Sequence, residues 1–124
     1  EACDVLTLHL RLHDETRGIV RLEDLTRMKP TALLVNTSRS ELIEDGALVS
    51  ALNRGRPGMA ALDVFEHEPA IDPRLIALPN VVLLPHMASA TVEARTAMAE
   101  LMIANLEAVL SGDAALTPVP SDQR

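Results

Sequence analysis

The sequence predicts a parallel α/β fold. Two observations carry that expectation: apolar runs too short for helices alternate with helix-period segments, and several of the runs stop at polar residues suited to chemistry. Ala32–Val35 runs into Asn36, Thr37, Ser38 and Arg39; Met59–Leu62 stops at Asp63, with Glu68 shortly after; Val81–Leu84 stops at Pro85 and His86. Strand–helix alternation implies right-handed crossovers and parallel strands. In such a sheet, side chains just past the carboxyl ends of neighbouring strands converge on one crevice. An arginine, a carboxylate pair and a histidine are therefore expected to meet in space, a constellation for gripping an anionic substrate and moving a proton.

Val5–Leu10 alternates apolar and polar residues, as a strand does, and the polar stretch His13–Gly18 reads as loop. Leu22, Leu25 and Met28 recur at helical spacing behind Glu23 and Asp24, which predicts a short helix ended by Pro30. Thr31–Val35 is apolar throughout and too short for a helix, the pattern of a strand buried on both faces. Glu44 and Asp45 then precede Ala47, Leu48, Ala51 and Leu52, a helix with an acidic start, Arg54 at its end and Gly55 to close it. Met59–Asp63 is the next strand. A proline-rich connection (Pro69, Pro73, Pro79) leads to the strand Val81–Leu84. A long helix begins near Thr91, with a stripe of Ala94, Met98, Leu101, Met102, Asn105 or Leu106, and Val109, read as core; Gly112 stops it. The tail Leu116–Arg124, with Pro118 and Pro120, cannot continue a helix.

A chain of 124 residues fits one domain of ordinary size and can bury a real core. With one Phe and no Trp or Tyr, that core must be aliphatic, and stacking on nucleobases is nearly excluded. The net charge of −7 argues against nucleic acid or an anionic membrane as partner, because phosphate neutralisation needs clustered Lys and Arg. No run approaches the roughly 20 apolar residues of a membrane helix, and no basic-then-apolar leader is visible. Cys3 has no partner for an internal disulfide, which suits a reducing cytoplasm; its plainest reading is a small hydrophobe. Glu1 stands where a start methionine would, immediately before a strand, so chain is expected to have been removed upstream.

Each candidate residue has a plain reading beside the chemical one. Arg39 offers paired planar donors that match a carboxylate, or is a surface arginine on a loop. The hydroxyls of Thr37 and Ser38 and the Asn36 amide either bind a cofactor or form turns. His86 is the acid–base candidate, since an imidazole suits proton transfer near neutral pH; the small residues Ala88, Ser89 and Ala90 after it permit close approach of a ligand. Asp63 and Glu68 lie in Asp63-Val64-Phe65-Glu66-His67-Glu68-Pro69. A carboxylate bonded to a histidine fixes its tautomer and favours its protonated form. Glu66, His67 and Glu68 lack helical His spacing or a Cys ligand, so no metal site is expected. His9 and His13 read as structural or solvated, and Glu41, Glu44 and Asp45 as a helix N-terminus.

Taken in order, Leu8-His9-Leu10, Glu15-Thr16-Arg17-Gly18, Met28-Lys29-Pro30, Asn36-Thr37-Ser38-Arg39, the Asp63–Pro69 segment, Pro79-Asn80-Val81 and Pro85-His86 resemble the D-isomer-specific 2-hydroxyacid dehydrogenases over about residues 3–110. The resemblance implies a parallel Rossmann-type sheet, the second half of a nucleotide-binding domain. Residues 1–110 would form the C-terminal half of the NAD(P)-binding domain with its return helix, and 111–124 a tail toward the substrate domain. It further implies hydride transfer between NAD or NADP and a small 2-ketoacid or D-2-hydroxyacid, in a protein that is a homodimer when intact. By the same resemblance Arg39 holds the substrate, Glu68 pairs with the catalytic histidine and His86 donates or accepts the proton. Thr37, Ser38, Arg39, Asp63, His86, Ala88 and Ser89 fall where the family meets its cofactor, Asp63 near the nicotinamide carboxamide.

Some positions depart from the pattern. Ser40 and Ala88 replace common glycines, which bears on how closely backbone approaches a cofactor, and Arg11 replaces a frequent proline. Gly-x-Gly-x-x-Gly is nowhere in the chain; the phosphate loop, the ribose-binding acid and the substrate domain are expected upstream. The isolated chain is therefore expected to be an incomplete fragment with little activity and an exposed apolar edge strand. The alternative is a catalytically inactive cofactor-sensing or scaffold relative of the same fold.

Overall fold

The computed structural model describes residues 3–119, which divide into two compact units at Met87 and Ala88. The first unit holds a four-stranded sheet in the order β1 (Val5–Leu8), β2 (Leu33–Asn36), β3 (Met59–Leu62) and β4 (Val81–Leu83). All neighbours pair in parallel. Helix α1 (Leu22–Thr26) connects β1 to β2, and α2 (Ala47–Asn53) connects β2 to β3 after a 3₁₀ turn at Ser40–Leu42.

Three strands stop short of their apolar patterns: β1 ends at Leu8 rather than Leu10, β3 at Leu62 rather than Asp63, and β4 at Leu83 rather than Leu84, while β2 runs on through Asn36. The proline-rich connection is not all loop. Pro73–Ile76 forms a helical turn, α3, with the Asp72 carboxylate accepting the Arg74 N–H. Proline at the first helical position lacks only an N–H that would have been unpaired there anyway.

The core is aliphatic and lies on one face of the sheet. Leu25, Ala32, Leu34, Leu42 and Ala51 are fully buried, joined by Leu8, Ala60 and Leu62 from the strands and Leu48 and Leu52 from α2. Each fully buried leucine contributes about 2 kcal/mol of transfer free energy. The expectation that the second strand is buried on both faces is not met. Leu34 and Asn36 are buried, but Leu33 and Val35, pointing the other way, are only half-buried. Helices α1 and α2 cover one side of the sheet, leaving Val5, Met59 and Val82 exposed on the other strands.

Glu44 does not serve the helix that follows it. Its carboxylate accepts the Leu22 N–H at the start of α1 (3.2 Å), while α2 is capped by Gly46 at φ +68°. Cys3 is exposed, and Lys29 pairs with Asp4 at the surface (2.8 Å).

The second unit is α4 (Val92–Leu110) and the segment after it. The Thr91 hydroxyl accepts the Ala94 N–H at its start, and Gly112 turns out of it at φ +86°. Met98 and Met102 are not core: they are 61% and 67% exposed, and no residue of α4 is buried. The apolar residues Leu101, Met102, Ile103 and Leu106 run round the helix instead of forming one stripe, and the short following segment covers little of it. Asn105, assigned to that stripe, instead ties the segment down; its Oδ1 accepts the Thr117 N–H and its Nδ2 donates to the Thr117 hydroxyl. The end of the predicted tail, residues 120–124, lies outside the described residues.

Candidate active site

Register delivers the polar strand ends to one edge. Leu8, Asn36 and Leu62 are paired across β1, β2 and β3. The Asp63 N–H donates to the Asn36 carbonyl (3.0 Å), and the Leu84 N–H to the Leu62 carbonyl (2.9 Å). The ladder thus runs one residue beyond the strands and aims Asp63 and the Pro85-His86 step at the same crevice.

His86 has φ +52°, and among the described residues it alone of the non-glycines has positive φ. That conformation costs an L-residue about 1–2 kcal/mol and must be held by its surroundings. A backbone bond holds it: the Met87 N–H donates to Oδ1 of Asp63 (2.8 Å), whose side chain is buried in the crevice floor. The His86 ring is then met by Glu68, with Nδ1 2.7 Å from Oε2. The other oxygen of Glu68 accepts the Phe65 N–H at 2.9 Å. An ionised carboxylate can only accept, so Nδ1 carries the proton toward Glu68 and the ring is fixed in orientation.

These bonds hold the Glu68 carboxyl below the usual carboxylate range, the His86 ring most, then the Phe65 N–H, with the Arg39 charge adding a smaller pull. A carboxyl whose pKa is lowered by folding stabilises the fold above its unfolded value, and that contribution fades as pH falls through the folded value. Glu68→Gln in the full-length protein is therefore expected to lower the unfolding midpoint near neutral pH. The gap between the two proteins should close as pH drops below about 4. A gap unchanged across that range in urea titrations would show that the ionised pair is not the cause.

Arg39 sits on the third wall. Asn36, 1% exposed, shapes the turn that carries it. Its Nδ2 donates to the Arg39 carbonyl (2.8 Å) and its Oδ1 accepts the Ser38 N–H (3.0 Å). The amide read as a possible cofactor ligand is thus spent on the turn. Ser38 donates its hydroxyl to the Leu10 carbonyl (2.7 Å), tying the turn to the chain beyond β1. Arg39, Glu68 and His86 line one cleft of about 320 Å³ with Ser40, Glu41, Val64, Phe65 and Glu66. A larger groove, about 660 Å³, opens between the start of α2 and α3. It holds none of those three residues, so the smaller cleft is the candidate active site.

The strand-end residues suit part of a dinucleotide. The buried Asp63 carboxylate is an acceptor that matches a carboxamide. The exposed Thr37 hydroxyl and the Ser38 oxygen, which keeps acceptor capacity, match amide and sugar groups. Ala88 and Ser89 begin the second unit, in the turn before α4. Asp63 and Glu68 do not act as one carboxylate pair: Glu68 meets the imidazole, and Asp63 holds the backbone beside it. Among the described residues, no three His, Cys, Asp or Glu side chains are grouped to hold a metal. His9 is exposed and meets the Thr7 hydroxyl (2.9 Å). Of the two roles the sequence offered Asn36, cofactor ligand or turn former, the structure shows the second, the pattern of an Asx turn.

Residues 1–88 match the model of the D-isomer specific 2-hydroxyacid dehydrogenase, NAD binding domain. A hydroxyphenylpyruvate reductase from Plectranthus scutellarioides is 47% identical over 116 residues, 94% of this chain and 37% of the relative. A glyoxylate reductase from Thermofilum pendens is 49% identical over 91% of this chain and 34% of its own length. Among solved structures, an NADPH-dependent glyoxylate/hydroxypyruvate reductase from Sinorhizobium meliloti, in complex with NADP and malonate, superposes with a TM-score of 0.89. It shares 42% identity, covering 95% of this chain and 37% of that one. The chain thus spans little more than a third of the relatives it matches. Its parallel sheet and its matched sequence make it a member of the D-isomer-specific 2-hydroxyacid dehydrogenase family, within that family's NAD-binding domain.

Proposed function

We propose that the protein containing this chain reduces small 2-ketoacids to D-2-hydroxyacids with NADH or NADPH, and runs the reverse oxidation. The observation that carries this reading is the imidazole of His86, held 2.7 Å from Glu68 in a cleft that also contains Arg39. Arg39 binds the substrate carboxylate through paired guanidinium donors. Glu68 orients His86 and balances its positive charge. His86 delivers a proton to the carbonyl oxygen from the ring nitrogen facing away from Glu68, and takes it back in oxidation. Bound NAD(P)H supplies the hydride. Thr37, Ser38, Arg39, Asp63, His86, Ala88 and Ser89 would hold its nicotinamide end.

In this reading residues 1–110 are the C-terminal half of the NAD(P)-binding domain with its return helix, and 111–124 lead toward the substrate domain. The intact protein is a cytoplasmic homodimer. No helix among the described residues is long and apolar enough to cross a membrane, and the free Cys3 suits a reducing compartment.

The test is direct. Full-length protein is mixed with NADH or NADPH and glyoxylate or hydroxypyruvate, and nicotinamide absorbance is followed. Ketoacid-dependent loss of the reduced cofactor is expected. Bound cofactor with no turnover of any 2-ketoacid would sink the proposal.

A further inference from the structure

We infer that Asn36 is a positioning residue: with Asp63 it forms a buried brace that fixes the guanidinium of Arg39 relative to the His86 imidazole. This rests on the reduction proposed above, in which Arg39 holds the substrate and His86 moves the proton.

Arg39 and His86 follow β2 and β4, strands that are not neighbours; β3 lies between them. Whatever sets their spacing must cross β3, and a continuous run of hydrogen bonds does so. Nδ2 of Asn36 donates to the Arg39 carbonyl (2.8 Å), and its Oδ1 accepts the Ser38 N–H (3.0 Å). The carbonyl of the same Ser38 accepts Nη1 of Arg39 at 2.7 Å, so the guanidinium itself rests on the turn that Asn36 holds. On the other side, the main-chain carbonyl of Asn36 accepts the Asp63 N–H (3.0 Å). Oδ1 of Asp63 in turn accepts the Met87 N–H, next to His86 (2.8 Å). Asn36 and Asp63 are only 1% and 2% exposed, so water cannot stand in for a bond that is lost. The arrangement calls for asparagine. One planar amide must donate and accept at once, whereas an ionised carboxylate only accepts. A serine hydroxyl makes such turns more weakly and offers one polar atom where the amide offers two. A residue that only formed the turn would affect folding and leave the folded site unchanged; a brace governs the folded site.

Asn36→Asp and Asn36→Ser test this in the full-length protein, assayed well below the melting temperature of each. Asn36→Asp keeps the shape and removes the donor. Asn36→Ser removes it without adding charge, and carries the test if the first variant does not fold. Both should raise KM for hydroxypyruvate, and the dissociation constant of oxamate from the NAD(P)H complex, by about tenfold or more. Affinity for NAD(P)H should stay close to the parent's. Measured against the parent at each pH, Asn36→Asp should recover as pH falls, because a protonated carboxyl can again donate to the Arg39 carbonyl. Asn36→Ser should show no such recovery. The nitrogen NMR signals of the His86 ring, assigned by their loss in His86→Asn, should shift in both variants. A lower urea midpoint with KM, oxamate binding and ring signals unmoved would reduce Asn36 to a turn former and overturn the inference. So would an equal loss of NAD(P)H affinity, the mark of a general loosening. If the parent reduces no 2-ketoacid, the proposed reaction fails, and the ring signals alone decide the brace: shifted signals uphold it and unmoved signals overturn it.

Discussion

His86→Asn in the full-length protein is expected to lower kcat for hydroxypyruvate reduction by about a hundred- to ten-thousandfold, the usual worth of a positioned general acid. Asparagine suits this test better than alanine, because His86 sits at φ +52° and asparagine tolerates that region while alanine does not. The Met87 N–H would keep its bond to Asp63, since that bond involves the backbone beside residue 86 and not its side chain. Lost with the ring is an exposed partner of Glu68, and solvent screening leaves an exposed pair a small part of the stability. Thermal melting should therefore fall no further than Glu68→Gln lowers it, while turnover collapses. NAD(P)H binding, followed by fluorescence, should stay close to that of the parent. Retention of most of the turnover would remove His86 from the proton path. The same experiment separates an enzyme from a cofactor-sensing relative, in which there is no ketoacid-dependent turnover to lose.

Gly58→Ala should be the most damaging small substitution in the sheet. A Cβ at Gly58 would lie 1.9 Å from the carbonyl oxygen of Pro30 and 2.9 Å from its carbonyl carbon. Backbone atoms cannot rotate aside as a side chain can. The Pro30 segment leads into Ala32, whose carbonyl accepts the Met59 N–H (3.1 Å), and the Gly58 carbonyl accepts the Asn80 side-chain amide (2.8 Å). Relief of the clash would thus pull β2 and β3 apart at their starts and strain the entry to β4. We expect a loss of about 3 kcal/mol or more, at the upper end for overpacking, seen as a lower urea midpoint or as insoluble protein. Gly46→Ala and Gly55→Ala are the controls. Both positions have positive φ but nothing within 4 Å of the added carbon, so each should cost only about 1–2 kcal/mol. Equal effects at all three positions would mean that the close approach at Gly58 costs no more than a left-handed φ does elsewhere, and would remove it as the reason for glycine there.

The parts of the site legible in sequence are those set by short-range pattern. Four strands and the three principal helices follow from apolar periodicity, and Arg39, Asp63 and His86 declare themselves as polar residues after apolar runs. The helical turn at Pro73–Ile76 was hidden by its prolines, although Asp72 before Pro73 is a capping pattern. Helix α4 misled for the opposite reason. Its apolar residues satisfy a stripe, but they continue around the helix, so periodicity alone did not say what covers them.

By itself, the sequence determined that strands and helices alternate, that the core is aliphatic, and which residues stand at the strand ends. These are local properties, governed by side-chain period and by how far a run extends before a polar or breaking residue. Only the tertiary structure decided which strand-end residues touch. Glu68 reaches His86 across 18 residues of chain. Asp63 reaches the Met87 backbone across 24, and Glu44 caps α1, 22 residues before it. Such bonds depend on strand register and on the path of each loop. Those are settled when the sheet closes over its buried face, and no spacing along the chain encodes them.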